Sequence, residues 1–201
     1  MNVRWPAALL LLALPSLVSA GAGELTASIG ARFGGSVDPD SGGNSTLDPA
    51  LAYGLTYDIR LAPEKWIALL WSRQKAEVDL PGFLPGHDSF DLTVDYLQVG
   101  GVYRPERGRK SNPFVMFSLG VTRVDPDLPG FDSDIVPGGM IGGGTKITFG
   151  ERLGLRLDAR GYFTLIQAEF SGVCGGVGCK AHFSADGAFQ FEGLVGVTYA
   201  F

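Results

Sequence analysis

Past its first 20 residues, the sequence lacks any apolar run long enough for a membrane-spanning helix. Such a helix needs about 20 consecutive apolar residues. Positive charge is also scarce, since 16 Lys and Arg stand against 21 Asp and Glu, for a net charge of −5. A negatively charged chain does not attract nucleic acid, so no nucleic-acid partner is expected. If the chain enters a membrane, it must do so as a closed barrel.

Motifs for cofactor or metal chemistry are missing as well. The sequence contains no HExxH, no CxxC pair and no glycine-rich phosphate motif. The three glycines at 142–144 fall within a predicted strand, where they favour curvature over phosphate binding. A metal site built from Cys174, Cys179 and His182 is an alternative, but it lacks a fourth ligand. We expect no cofactor and no metal.

The first 20 residues have the three regions of a secretory signal peptide. Arg4 precedes an apolar run at 7–14, and the small residues Val18, Ser19 and Ala20 follow. This order predicts cleavage after Ala20, and the apolar run is too short for a retained anchor. Residues 1–20 are therefore predicted to be a signal peptide and residues 21–201 a single barrel domain.

Alternating apolar and polar residues predict eight strands in residues 21–201. They lie near 24–33, 51–59, 66–76, 90–103, 114–124, 138–149, 153–166 and 189–201. Long and short connections alternate between them, and long breaks are expected at 34–49 and 80–88. We therefore predict an all-β fold, an eight-stranded antiparallel transmembrane up-and-down β-barrel with short periplasmic turns and four longer external loops.

The fourth predicted strand changes its apolar phase between Tyr96 and Leu97. A bulge at this point would explain the change, and so would a polar extension of the strand above the membrane. Aromatic residues near the strand ends are predicted to form two interfacial girdles. These residues are Phe33, Trp66, Phe90, Tyr103, Phe114, Phe149, Phe163, Phe189 and Phe201.

The seventh predicted strand indicates which face meets lipid. Its leucines alternate with Arg156, Asp158 and Arg160. Each arginine facing the membrane midplane would cost about 2–4 kcal/mol, so the charged face is predicted to point inward. A lipocalin-like soluble barrel would have the reverse arrangement. We predict an interior ionic network, and an ion or proton path is the alternative. The predicted network consists of Asp58, Lys146, Arg156, Asp158, Arg160 and Glu192.

The C-terminal segment at 189–201 has apolar side chains at every second position and ends on Phe201. It resembles the terminal strand of bacterial outer-membrane barrels, in which a closing Phe helps the barrel-assembly machinery recognise the chain. The resemblance implies an assembly signal made of Gly196, Tyr199 and Phe201. It also implies that the assembly machinery is a partner.

The last long loop carries the remaining candidates for chemistry. Cys174 and Cys179 are the two cysteines of an exported chain, which predicts a disulfide between them. His182 and Ser184 resemble the His-x-Ser arrangement of lipid A deacylases, which implies a hydrolase site as an alternative. Ordinary surface residues are the favoured interpretation of this pair, because the criteria for a triad are permissive.

Across the mature chain the sequence resembles the small outer-membrane barrels of the outer-membrane protein A-like and W-like superfamily. Local matches occur at 53–57, 95–97, 100–103 and 151–156, and in the terminal Tyr-x-Phe. The resemblance implies a bacterial outer-membrane location, with membrane lipid and lipopolysaccharide as partners. The favoured function is a non-enzymatic structural or loop-presenting barrel. A narrow channel for small hydrophobic molecules and a deacylase using His182 and Ser184 are the alternatives.

Overall fold

Eight antiparallel strands close into a barrel in the computed structural model, which describes residues 23–34, 36–37, 45–46, 49–84, 87–105, 111–127, 132–165 and 188–201. The strands are β1 (Gly23–Phe33), β2 (Ala50–Ala62), β3 (Lys65–Leu84), β4 (His87–Tyr103), β5 (Ser111–Pro126), β6 (Asp134–Phe149), β7 (Leu153–Thr164) and β8 (Ala188–Ala200). Each pairs with the next along the chain, and β8 pairs with β1. A short antiparallel pair, Ser36–Val37 with Ser45–Thr46, lies outside the barrel sheet. The predicted all-β, eight-stranded barrel is confirmed.

Side-chain alternation gives each barrel strand an inner and an outer face. On β7, Arg160 is 2% exposed and points inward, whereas Leu157 on the other face is 41% exposed. On β8, Phe189 is 65% exposed while Glu192 is 2% exposed. The apolar face is thus the outer one, as the charges of β7 predict. Among the described residues, no helix is long and apolar enough to cross a membrane.

The two ends of the barrel differ in their connections. Only Pro63 and Glu64 join β2 to β3, and three residues, 150–152, join β6 to β7. Glu64 adopts a φ of 64°, the left-handed conformation that allows this tight reversal. The backbone N–H of Phe201 donates to the Gly23 carbonyl at 2.9 Å. The first strand therefore begins, and the last strand ends, at this same end of the barrel. We call this end the turn end and the opposite end the loop end.

Strands β3 and β4 extend farther than the sequence predicts. The break expected at 80–88 is wrong, because β3 continues to Leu84 and β4 begins at His87. Asp79 pairs with Ser89 and Leu84 pairs with His87, with a shift in register between the two pairs. Pro81 and Gly82 therefore lie within β3, where the register of its pairing with β4 shifts.

The change of apolar phase on β4 does not come from a bulge. Its register with β5 is continuous from Leu92 to Tyr103, so the bulge is wrong. Leu92 and Tyr96 are buried inside the barrel, while Asp95 lies on the other face and pairs with Arg73. Near the loop end the interior is apolar and the outer wall is polar, in agreement with the alternative of a polar extension.

Three of the aromatic residues assigned to the girdles lie inside the barrel instead. Trp66 and Phe114 are buried members of the interior apolar cluster, and the partly buried Phe90 packs against it. Each stands at an inward position of its strand, so the prediction for these three is wrong. Phe33, Tyr103, Phe149, Phe189 and Phe201 are exposed on the outer wall.

Candidate functional site in the barrel interior

Among the described residues, nine charged side chains lie in the interior as a single alternating series of cations and anions. From the turn end to the loop end they are Lys146, Glu24, Arg104, Asp58, Arg156, Asp158, Arg160, Glu192 and Arg32. We call this set the ion chain. All nine residues are buried, and each contacts its neighbours in the series within 4.0 Å.

The half of the ion chain near the turn end is held by two shared carboxylates. Glu24 accepts from Lys146 Nζ at 2.5 Å through Oε1 and from Arg104 Nη1 at 2.8 Å through Oε2. Asp58 Oδ2 lies 2.5 Å from Arg156 Nη1 and 3.5 Å from Arg104 Nη2. Residues from β1, β2, β6 and β7, together with Arg104 just after β4, thereby meet at one end of the lumen.

Aromatic rings cover the cations at this end. The Arg104 guanidinium lies 4.5 Å from the centre of the Trp66 ring, and that of Arg156 lies 4.3 Å from the Phe114 ring. Arg104 follows β4 directly, and its backbone N–H donates to the Glu64 carbonyl at 2.8 Å. The tight turn between β2 and β3 thus positions the arginine that closes the turn end.

Asp158 connects the two halves of the ion chain. Its carboxylate lies 3.1 Å from Arg156 Nε and 3.4 Å from Arg160 Nη2. Beyond it, Arg160 Nη1 lies 3.6 Å from Glu192 Oε2, and Arg32 Nη2 lies 2.7 Å from Glu192 Oε1. The ion chain therefore runs without a break from Lys146 near the turn end to Arg32.

Glu192 is the most heavily hydrogen-bonded carboxylate of the series. Besides Arg32, it accepts from the Ser72 hydroxyl at 2.7 Å and from the Tyr162 hydroxyl at 2.8 Å. The Tyr162 ring stacks on that of Tyr96 with centroids 4.2 Å apart, and the Arg32 guanidinium lies 4.7 Å from the Tyr96 centroid. Two stacked rings and one guanidinium thus fill the lumen towards the loop end.

The arrangement of the ion chain is suited to filling the lumen of the barrel. An isolated buried charge costs several kcal/mol, a cost that opposite charges and hydrogen bonds offset. Here every charge has at least one opposite neighbour. Within the described ranges, no group of three or more His, Cys, Asp or Glu residues is placed to hold a metal ion. The largest fully buried side chains include Arg32, Arg156, Tyr96, Tyr162, Leu70 and Met140.

All six residues predicted for an interior network belong to the ion chain, and three further members were missed. Glu24 and Arg32 stand on the polar face of β1, so the alternation of that strand could have identified them. Arg104 follows the last residue of β4 and points inward like Val102, two residues before it. The predicted strand ends at Tyr103, so Arg104 was not assigned to either face. Cys174, Cys179, His182 and Ser184 lie outside the described residues.

The residues of the predicted assembly signal occupy both faces of β8. Tyr199 and Phe201 point outward with ring centres 5.3 Å apart and planes at 76°. Gly196 faces inward, and a Cβ there would lie 2.8 Å from Thr26 Cγ2 and 2.9 Å from the Ala27 carbonyl oxygen. Close packing against β1 therefore requires glycine at this position.

Several solved structures share this architecture. Neisserial surface protein A superposes with a TM-score of 0.61 at 16% identity, covering 90% of this chain and 100% of that chain. The outer membrane protein OprG from Pseudomonas aeruginosa gives 0.60 at 16% identity, with 90% and 96% covered. Ail, the attachment invasion locus protein of Yersinia pestis, in complex with the heparin analogue sucrose octasulfate, gives 0.51 at 13% identity, with 89% and 99% covered.

The fold is that of the small bacterial outer-membrane barrels. The resemblance predicted from the sequence is confirmed at the level of the fold. No family model matches the sequence, and no curated protein sequence matches it. At such low identity the likeness concerns architecture, so function must be argued from the residues of this barrel.

Proposed function

We propose that this outer-membrane barrel is a closed, non-enzymatic protein that supports the membrane or presents its loop-end connections to external partners. The observation that carries the proposal is the continuous filling of the lumen by the ion chain and by the Tyr96–Tyr162 stack. An eight-stranded barrel is only wide enough to be filled by side chains. Paired charges and stacked rings that occupy the lumen oppose the passage of hydrated ions through the described part of the barrel.

Planar-bilayer recordings test this proposal. The wild-type protein is expected to give no stable single-channel steps after insertion. The double variant Tyr96→Ala with Tyr162→Ala removes the stacked rings and is expected to raise the frequency of current fluctuations. Its signal also shows that the recordings detect inserted protein. Phe163→Ala, next to Tyr162 but on the outer wall, serves as the matched control. Large and stable steps from the wild type would overturn the closed-barrel proposal.

The two alternative functions have separate tests. Passage of small hydrophobic molecules is disfavoured by the charged interior, and unchanged uptake of such molecules in a deletion strain would exclude it. Hydrolysis of lipid A through His182 and Ser184 predicts loss of acyl chains on overexpression. Mass spectrometry of lipid A measures this loss, and an intact acylation pattern would exclude the hydrolase.

The proposed location has its own experiment. We place the protein in the bacterial outer membrane after cleavage behind Ala20, in contact with membrane lipid and lipopolysaccharide and assembled by the barrel-assembly machinery. N-terminal sequencing of protein from a purified outer-membrane fraction is expected to begin at Gly21. Recovery only from the soluble periplasm would overturn the location.

A further inference from the structure

An apolar depression of about 570 Å³ lies on the outer wall of the barrel across β8, β1, β2 and β3. Its floor is the short side chain of Ala27, which stands between the longer Leu55 and Val197 on the adjacent strands. The backbone of Gly54 and Gly196 completes the floor. Its sides are Ile29, Tyr53, Leu55, Trp71, Val195 and Val197.

A polar rim borders this depression on the side of the loop end. Tyr53 and Trp71 meet edge to face with ring centres 5.9 Å apart. Arg73 is the cross-strand partner of Tyr53, and its guanidinium lies 5.6 Å from the centre of the Trp71 ring. Asp95 orients Arg73 through two hydrogen bonds of 2.6 and 2.7 Å. Lys75 follows two residues later on the same face and is exposed.

The two cations mark the boundary between hydrocarbon and headgroups. An arginine facing lipid costs about 2–4 kcal/mol at the midplane but about 0–1 kcal/mol near an interface. The outward aromatic pair Phe33 and Phe191, near the loop end of β1 and β8, stacks at 6.1 Å and is typical of the same boundary. The depression therefore lies at the depth of acyl chains, and Arg73 and Lys75 lie at the depth of phosphates.

We propose that this surface binds a phosphorylated, multiply acylated glycolipid of the outer leaflet. One acyl chain occupies the depression over Ala27, and a phosphate lies against Arg73 and Lys75. The assignment to the outer leaflet rests on the proposed outer-membrane location, in which the loop end faces outward. Asp95 balances the charge of Arg73, so Lys75 supplies the net positive charge that complements phosphate. Arg73 contributes N–H donors, and its fixed position lowers the entropy lost on binding.

Native mass spectrometry of the folded, detergent-solubilised protein with bisphosphorylated, hexa-acylated lipid A tests the site. The wild type is expected to retain one lipid per barrel. Arg73→Gln with Lys75→Gln is expected to reduce retention roughly fivefold or more, since one net positive charge near an anionic lipid surface contributes on the order of fivefold and the N–H donors of Arg73 are lost as well. Ala27→Leu, which fills the depression without a change of charge, is expected to reduce retention as well.

Matched controls separate this site from general adhesion of lipid. Lys65→Gln removes an outward cation at the turn end of β3, and Ala159→Leu enlarges an outward alanine on β7 outside the depression. Both are expected to retain lipid A like the wild type, and heat-modifiable gel migration verifies that each variant is folded. Equal retention by the wild type and the Arg73 and Lys75 double variant would overturn the site.

Two further arms identify the ligand and separate this proposal from the previous one. Dephosphorylated lipid A is expected to bind at least several-fold more weakly, because each phosphate contact depends on charge. Phosphatidylglycerol bound as tightly as lipid A would overturn the assignment to a glycolipid. If the wild type conducts ions but still retains lipid A through Arg73 and Lys75, the closed-barrel function is overturned and the lipid site is not.

Discussion

Arg32 Nη2 and Glu192 Oε1 lie 2.7 Å apart on directly paired residues of β1 and β8, and both side chains are fully buried. These strands are the first and last of the barrel, so the ion pair crosses the contact that closes it. Ser72 on β3 and Tyr162 on β7 donate to the same carboxylate. One side chain thus connects four strands near the loop end.

Glu192→Gln is expected to destabilise the barrel by about 3–5 kcal/mol, because it leaves Arg32 and Arg160 buried without a full counter-charge. Urea unfolding in lipid vesicles, followed by tryptophan fluorescence, measures the change. Asp125→Asn is the control, since the pair of Asp125 with Arg123 is about 40% exposed and contributes at most about 1 kcal/mol. Equal losses for the two variants would contradict a special role for the buried carboxylate.

Tyr162→Phe removes a buried donor to Glu192 while keeping the ring stacked on Tyr96. Leaving a buried carboxylate oxygen with one donor fewer is expected to cost about 1–3 kcal/mol in the same unfolding assay. Tyr103→Phe removes an exposed hydrogen bond to Glu64 and is expected to change stability by less than about 1 kcal/mol. A loss no larger for Tyr162→Phe than for Tyr103→Phe would contradict this prediction.

Gly30→Ala is expected to disrupt the closing contact of β1 with β8. A Cβ at position 30 would lie 1.9 Å from the Gly193 carbonyl oxygen, which no rotation of a side chain can relieve. Overpacking of this kind costs on the order of 1–3 kcal/mol. The matched variant Gly101→Ala places its Cβ on the outer wall with nothing within 4 Å, so its unfolding curve should match that of the wild type.

Phe201→Ala is expected to lower the amount of folded protein in the outer membrane, because Phe201 belongs to the predicted assembly signal. Phe149→Ala is the control, since Phe149 is an outward phenylalanine at the turn end of another strand. Fractionation and heat-modifiable gel migration measure both variants. A similar small loss from each would mean that Phe201 contributes only lipid contact.

The predicted disulfide between Cys174 and Cys179 is tested by thiol labelling. Protein from the outer membrane is expected to react with maleimide only after reduction, as an exported pair of cysteines should be oxidised. A four-residue loop between them suggests local stabilisation of roughly 2 kcal/mol by the loop-entropy model. Labelling of both thiols before reduction would contradict the prediction.

The orientation of the barrel wall was predictable because a hydrocarbon environment favours apolar side chains at the outward positions of a membrane-spanning strand. Strand β7 alone determines which face is the outer one, since Arg156 and Arg160 cannot face hydrocarbon at low cost. The residue types at inward positions are less restricted, because a filled lumen accepts aromatic and charged side chains alike. Trp66 and Phe114 illustrate this difference: their positions in the alternation indicate the interior, but their chemistry is equally suited to a girdle.

The partners within the ion chain depend on the arrangement of all strands, which local patterns do not give. Arg104 illustrates this dependence, because it contacts Glu24 on β1 and Asp58 on β2 only after closure brings β4 opposite those strands. The long hairpin of β3 and β4 was missed for a different reason. Its Pro and Gly residues have the composition of a loop, but pairing on either side continues the ladder.

The ion chain also restricts how neighbouring strands can slide. A strand displaced by two residues keeps each side chain on its own face, so contact with lipid does not oppose such a slip. Arg160 and Glu192 are direct partners on β7 and β8. Sliding by two residues in one direction places Asp158 opposite Glu192, where like charges repel. Sliding in the other direction places Arg160 opposite the apolar Leu194, so its direct partner is lost. The alternating charges therefore select one alignment among several that the membrane alone would accept equally.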